Sequence, residues 1–103
     1  MSRGPDAGTA LVRAIEANAR RAHCPVRIKA SDWTRWASAT FTGARHDLTL
    51  EADESAALDT WLMELPEAEL PTRGHLVADI VVTSVRRGEG VATLRLEALT
   101  VEE

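Results

Sequence analysis

The residues best suited to recognition lie in one short stretch, Trp33-Thr34-Arg35-Trp36. Two indoles around a guanidinium can stack a base or an aromatic ligand, or anchor a protein partner, because tryptophan and arginine dominate interface hot spots. The same residues also suit a structural role, with one tryptophan filling the core and the other capping a sheet edge under Arg35. A chain with one phenylalanine and no tyrosine needs its three tryptophans for bulk, and tryptophan is usually well buried. Trp33, Arg35 and Trp36 are the candidate ligand- or partner-binding residues, with both roles open.

Catalytic and metal chemistry finds less to work with. Of the three histidines, His46 adjoins Asp47, but neighbours on a strand point to opposite faces. His75 and Asp79 share a face of a regular strand, yet four residues of strand span about 13 Å, beyond hydrogen-bond reach. Exposed strand-end histidines are therefore expected. His23 and Cys24 are adjacent, and no CxxC, HxxxH or carboxylate–histidine repeat accompanies them. Arg20 and Arg21 precede Cys24, but the end of a helix opposes a thiolate, so an inert, partly buried thiol is expected. Arg87-Gly88-Glu89-Gly90 is too short for a phosphate-cradling loop and sits in a hairpin turn. No GxSxG surrounds any serine. The chain is expected to hold no catalytic set, metal or cofactor, which leans away from an enzyme.

Charge is distributed unevenly. Residues 1–45 carry eight basic and three acidic side chains, a balance of +5, whereas residues 46–103 carry four basic and thirteen acidic ones, a balance of −9. A net charge of −4 and the acidic run from Asp47 to Glu69 argue against a nucleic-acid module built on Arg13, Arg20 and Arg27. Such a split bears on association more than on folding. Eleven arginines against one lysine, with abundant alanine, fit coding in a GC-rich bacterial genome.

These residues need elements to position them. The length of 103 residues suits one globular domain with a modest core. Residues 1–8, with two glycines and a proline, read as a loose lead-in. Thr9 is the expected cap of a helix over 10–22, whose apolar face is Leu11, Val12, Ile15, Ala19 and Ala22. Alternation at Val26, Ile28 and Ala30 predicts a strand, the stretch 36–42 a second, and Leu48, Leu50 and Ala52 a third after a turn at Gly43-Ala44. Asp53 or Ser55 caps a second helix to about Leu65, with Leu58, Trp61, Leu62 and Leu65 as its core stripe.

The last third reads as a hairpin, 75–85 with 91–101. Ile80 and Val82 must share a face with Leu94 and Leu96, which a loop of three or five residues satisfies. Apolar residues on both sides of the first hairpin strand suggest a central position for it, and the C-terminal strand is expected at an edge. The expected fold is α+β, in the order α-β-β-β-α-β-β, a mostly antiparallel sheet with both helices packed on one face.

The longest uncharged apolar stretch, Ile80–Val85, is too short to span a membrane, and the opening residues lack the apolar core of a signal peptide. With a single cysteine, a cytoplasmic protein is expected. The expected function is a non-enzymatic, self-associating module for protein binding or assembly. The expected partner is a second copy, a homodimer with Val77, Val81, Leu99 and Val101 at the interface, on the hairpin face away from the core. The alternative is a small-molecule binding protein or enzyme with a pocket at Trp33, Arg35 and Trp36.

Overall fold

The structure, a computed structural model, describes residues 6–103. Residues 1–5 of the expected lead-in lie outside the described residues. Helix α1 spans Ala7–Arg21, strand β1 Arg27–Ala37, strand β2 Thr42–Asp53, helix α2 Ala56–Glu64, strand β3 His75–Gly88 and strand β4 Val91–Glu102. The strands form one antiparallel sheet in the order β1-β2-β4-β3. Both helices pack on one face of it, so the class is α+β as the patterning implies. The sheet has one strand fewer than expected, because residues 27–37 form a single strand. The turn lies at 38–41, where the Ser38 hydroxyl accepts from the amides of Thr40 and Phe41. Gly43 and Ala44 are inside β2.

The core follows the even-numbered positions of β2 and β4. Leu48, Leu50 and Ala52 pair across the ladder with Leu96, Leu94 and Ala92. These residues are buried against Leu11, Ile15 and Ala19 of α1 and Leu58, Trp61 and Leu65 of the α2 region. The Trp61 indole N–H donates to Asn18 Oδ1 at 2.7 Å, tying the two helices together. Asp6, not Thr9, caps α1 and accepts from the Thr9 amide at 2.8 Å. The helix therefore begins three residues before the expected start and takes in Gly8, which is buried. Ser55 caps α2 through the Leu58 amide at 3.0 Å.

Two β-bulges in β3 overturn the expected hairpin geometry. The connection is a two-residue turn, Glu89-Gly90, with φ of 55° and 78°, the left-handed pair that joins twisted strands tightly. Such a turn alone would set Ile80 and Val82 out of phase with Leu94 and Leu96. The bulge at Thr83 restores the phase, and a second at Ala78 reverses it again. Val85, Val82, Ile80 and Val77 thus all share the helix-facing side of the sheet, paired with Leu94, Leu96, Ala98 and Thr100. The bulges bring Val77 and Val85 to the helix-facing side, while Leu76 and Val81 stand on the open face. In the sheet β3 is an edge strand and β4 is central, the reverse of the expected placement.

The long strands set the shape. Fourteen residues of β3 at about 3.3 Å each account for the 45 Å long axis. The helices, of 15 and 9 residues, are too short to cover such a sheet. Among the described residues no helix is long and apolar enough to cross a membrane.

Candidate functional site

The sheet brings part of the charge split together, β1 lying beside acids of β2 and β4. Arg27 lies 3.8 Å from Glu51 and 3.5 Å from Asp53, Lys29 lies 4.0 Å from Glu51, and Arg35 lies 3.9 Å from Glu102. Basic side chains of the first half thus meet acids of the second within one chain. These pairs are exposed and individually weak, but they leave less charge free for assembly than the sequence implies.

The residues of Trp33-Thr34-Arg35-Trp36 do not form one site. Strand alternation, restored after a bulge at Lys29, sends Trp33 and Arg35 to the helix-facing side and Trp36 to the other. Trp33, 42% exposed, stacks on His46 at a centroid distance of 6.5 Å. Its ring also lies against Gly8, where a Cβ would come within 2.6 Å of it. A cleft of about 360 Å³ runs beside Trp33 between α1 and β1, lined also by Thr9, Val12 and Ile28. Neither Arg35 nor Trp36 lines it. Trp36 lies over Gly43, the residue it pairs with, and its indole N–H is buried without a partner.

His46 is buried, not an exposed strand-end histidine. Its Nε2 is 2.8 Å from the hydroxyl of Thr100, also fully buried, and its Nδ1 has no partner. Burial holds the imidazole below the ordinary histidine pKa, and the charge of His75 pushes the same way. Asp47 points to the opposite face, as alternation requires. The Ala78 bulge also separates His75 from Asp79, which pairs with Leu99 on the far side. Cys24 is buried, and desolvation raises its pKa, which favours an unreactive thiol. Among the described residues no three His, Cys, Asp or Glu side chains converge on a point that could hold a metal ion.

The face of the sheet away from the helices is the largest candidate surface. The registers align its residues in rows across all four strands. At the end near the 38–41 turn the row is Trp36, Gly43, Val101 and Leu76. Next come Thr34, Arg45, Leu99 and Asp79, and then Asp32, Asp47, Glu97 and Val81. The last two rows line a shallow depression of about 420 Å³. Three carboxylates side by side repel one another, and Arg95 offsets this by holding both oxygens of Asp47 at 3.1 and 3.2 Å.

The apolar component of this face is concentrated at one end. Leu76 is 58% exposed and Val81 44%, while Leu99 and Val101 are half-buried. Phe41, 56% exposed, stands at the same end in the turn. Of the four residues expected on this face, Val81, Leu99 and Val101 are there. Val77 is not: the Ala78 bulge turns it onto the core, where it is half-buried, and places Leu76 on the open face instead. Leu76 and Phe41 escaped the sequence reading because only a bulge and a turn position expose them. His46 escaped it because nothing in the sequence marks Thr100 as its partner.

Comparison of the chain with family models, with curated proteins and with solved structures gives no significant match.

Proposed function

We propose that this is a non-enzymatic cytoplasmic protein that serves as a self-associating binding or assembly module, two copies meeting through the open face of the sheet. The observation that carries the reading is the exposed apolar cluster of Leu76 and Val81 beside Leu99 and Val101 on a sheet face that no described element covers. Solvated sheet faces of monomers alternate polar residues, and a contiguous apolar cluster on one favours a covered surface.

A second copy is the occupant that the charges of this face favour. The face carries both charge signs, Arg45 and Arg95 against Asp32, Asp47, Asp79 and Glu97, so a two-fold contact can set opposite charges against each other. Pairing through a sheet edge is disfavoured, since β1 and β3 are both interrupted by bulges, which blunt an edge against strand addition. A stable contact needs about 800 Å² per partner, and a face this long can supply it. Introducing one charge at each of Leu76 and Val81 should abolish the contact, and sedimentation velocity reads the result. A monomer for both wild type and variant would refute the reading.

The cleft beside Trp33 supports a second reading, a small-molecule binding protein or enzyme whose pocket holds an apolar or aromatic ligand against the exposed indole. A saturable change in Trp33 fluorescence with such a ligand would favour it over assembly.

A further inference from the structure

The strongest unassigned feature on the helical side is a groove between α1 and residues 71–73, with a volume of about 300 Å³. Ala10, Ala14 and Ala17 of α1 line it, and Arg13, Arg21 and Arg73 stand around it. In the first half Arg27, Lys29 and Arg35 lie near acids of the second, but among the described residues Arg13 and Arg21 do not, and Arg73 of the second half is unpaired as well. Among the described residues no carboxylate lies within ion-pair distance of any of them, whereas Arg27, Arg35, Arg87 and Arg95 are all paired. Arg20, Arg45 and Arg86 likewise have no carboxylate within ion-pair distance among the described residues, but Arg13, Arg21 and Arg73 are the unpaired arginines that stand around this one groove.

We propose that this groove docks an acidic peptide segment of a protein partner. Arginine clusters read carboxylates through planar, multidentate donors, and recognition of acidic motifs by such clusters is a recurring mode. The spacing suits a segment better than a compact anion. Arg13 and Arg21 are eight residues apart on α1, about 12 Å along the axis, so they do not converge on one point. Glutamates four residues apart on an extended peptide lie about 13 Å apart, which matches that separation. The alanine methyls allow a peptide backbone to approach the helix closely, and small apolar side chains between the acids would cover them. A nucleic acid fits less well. The groove holds no aromatic ring on which to stack a base, and the chain as a whole is negative.

Fluorescence anisotropy with a short labelled peptide, glutamate at every fourth position between alanines, tests the proposal. The same peptide with glutamine and a labelled oligothymidylate of equal length serve as comparisons. The glutamate peptide should bind saturably, and the glutamine peptide about tenfold or more weaker, since each tenfold is the order of one charged contact. Arg13→Glu and Arg73→Glu should each weaken the glutamate peptide by about tenfold, while Arg20→Glu, on α1 but outside the groove, should change it by less than about twofold. All three arginines are exposed, so circular dichroism should show unchanged folding. Sedimentation should also be unchanged, because the groove lies on the helical side, away from the open sheet face.

Four results would overturn the proposal. They are no saturation up to about 1 mM peptide, equal binding of the glutamine peptide, an equal loss with Arg20→Glu, and tighter binding of the oligothymidylate. The third would mean a general field, and the last a polyanion surface.

Discussion

Gly43→Ala probes the strand arrangement at its least forgiving point. Gly43 lies within β2, buried between its partners Trp36 on β1 and Val101 on β4. A Cβ there would be driven into the backbone carbonyl oxygen of Thr100 and would stand 2.9 Å from both Cε2 and Cζ2 of Trp36. The ring can tilt, but the Thr100 carbonyl belongs to the central strand, and its side chain is fully buried against His46. Relief therefore requires either separating β2 from β4 or lifting Trp36 off the sheet. Overpacking of this kind costs about 1–3 kcal/mol, and a clash with fixed backbone belongs at the upper end, near 3 kcal/mol. The gain of about 0.4–1 kcal/mol from a less flexible unfolded chain offsets part of it, leaving a net loss of about 2 kcal/mol. For a domain of this size that lowers the melting temperature by about 8–16 °C. Thermal and urea unfolding, followed by circular dichroism and tryptophan emission, measures it. Gly88→Ala is the internal control: a Cβ there meets nothing within 4 Å, so the change should stay within about 0.5 kcal/mol. Equal, small effects of the two substitutions would refute the placement of Gly43 inside the sheet under Trp36.

The remaining predictions concern the core, pH and exposure. Leu96→Ala and Ile80→Ala should each destabilise by about 2–5 kcal/mol through lost transfer energy and a cavity, measured by urea unfolding; losses below about 0.5 kcal/mol for both would place the core elsewhere. Burial lowers the His46 pKa in the folded state, so the unfolded chain takes up the proton first. Stability should then be fully present above the ordinary histidine pKa of about 6.5 and decline as pH falls below it. His46→Gln should flatten that decline in denaturation curves between about pH 7 and 5, and an unchanged slope would exclude His46 as its source. Acrylamide should quench Trp33 and spare the buried Trp61, so Trp33→Phe should remove most of the quenchable emission; a variant that quenches like wild type would show that Trp33 is enclosed.

The sequence displays those features that depend on period and misses those that depend on one residue of phase. Leu11, Ile15 and Ala19 at helical spacing, and Leu48, Leu50, Leu94 and Leu96 at alternate positions, mark the buried faces that the structure assembles. The bulges at Lys29, Ala78 and Thr83 are silent in the sequence, because each inserts one ordinary residue and reverses which parity faces the core. That single effect moved Val77 from the expected interface onto the core and brought Leu76 out; β3 carries apolar residues on both faces, as its sequence shows, yet it is an edge strand whose outer face stays open. Gly43 looked like a turn because glycine usually marks one; here a neighbouring carbonyl and an indole need its bare backbone. The charge halves were visible from composition, but which of their charges meet depends on how β1 lies beside β2 and β4. Trp33 and Trp36, expected in a segment joining two strands, fall on opposite faces because residues 27–37 form one strand.

Self-association through the open sheet face is tested most directly by sedimentation velocity at tens of micromolar, where standard-sized interfaces of micromolar or better affinity stay closed. Wild type should sediment at twice the 11.2 kDa chain mass, and the double variant Leu76→Asp, Val81→Asp should sediment as a monomer with an unchanged circular dichroism spectrum. A wild-type monomer at that concentration, or a dimer that survives both aspartates, would contradict the account.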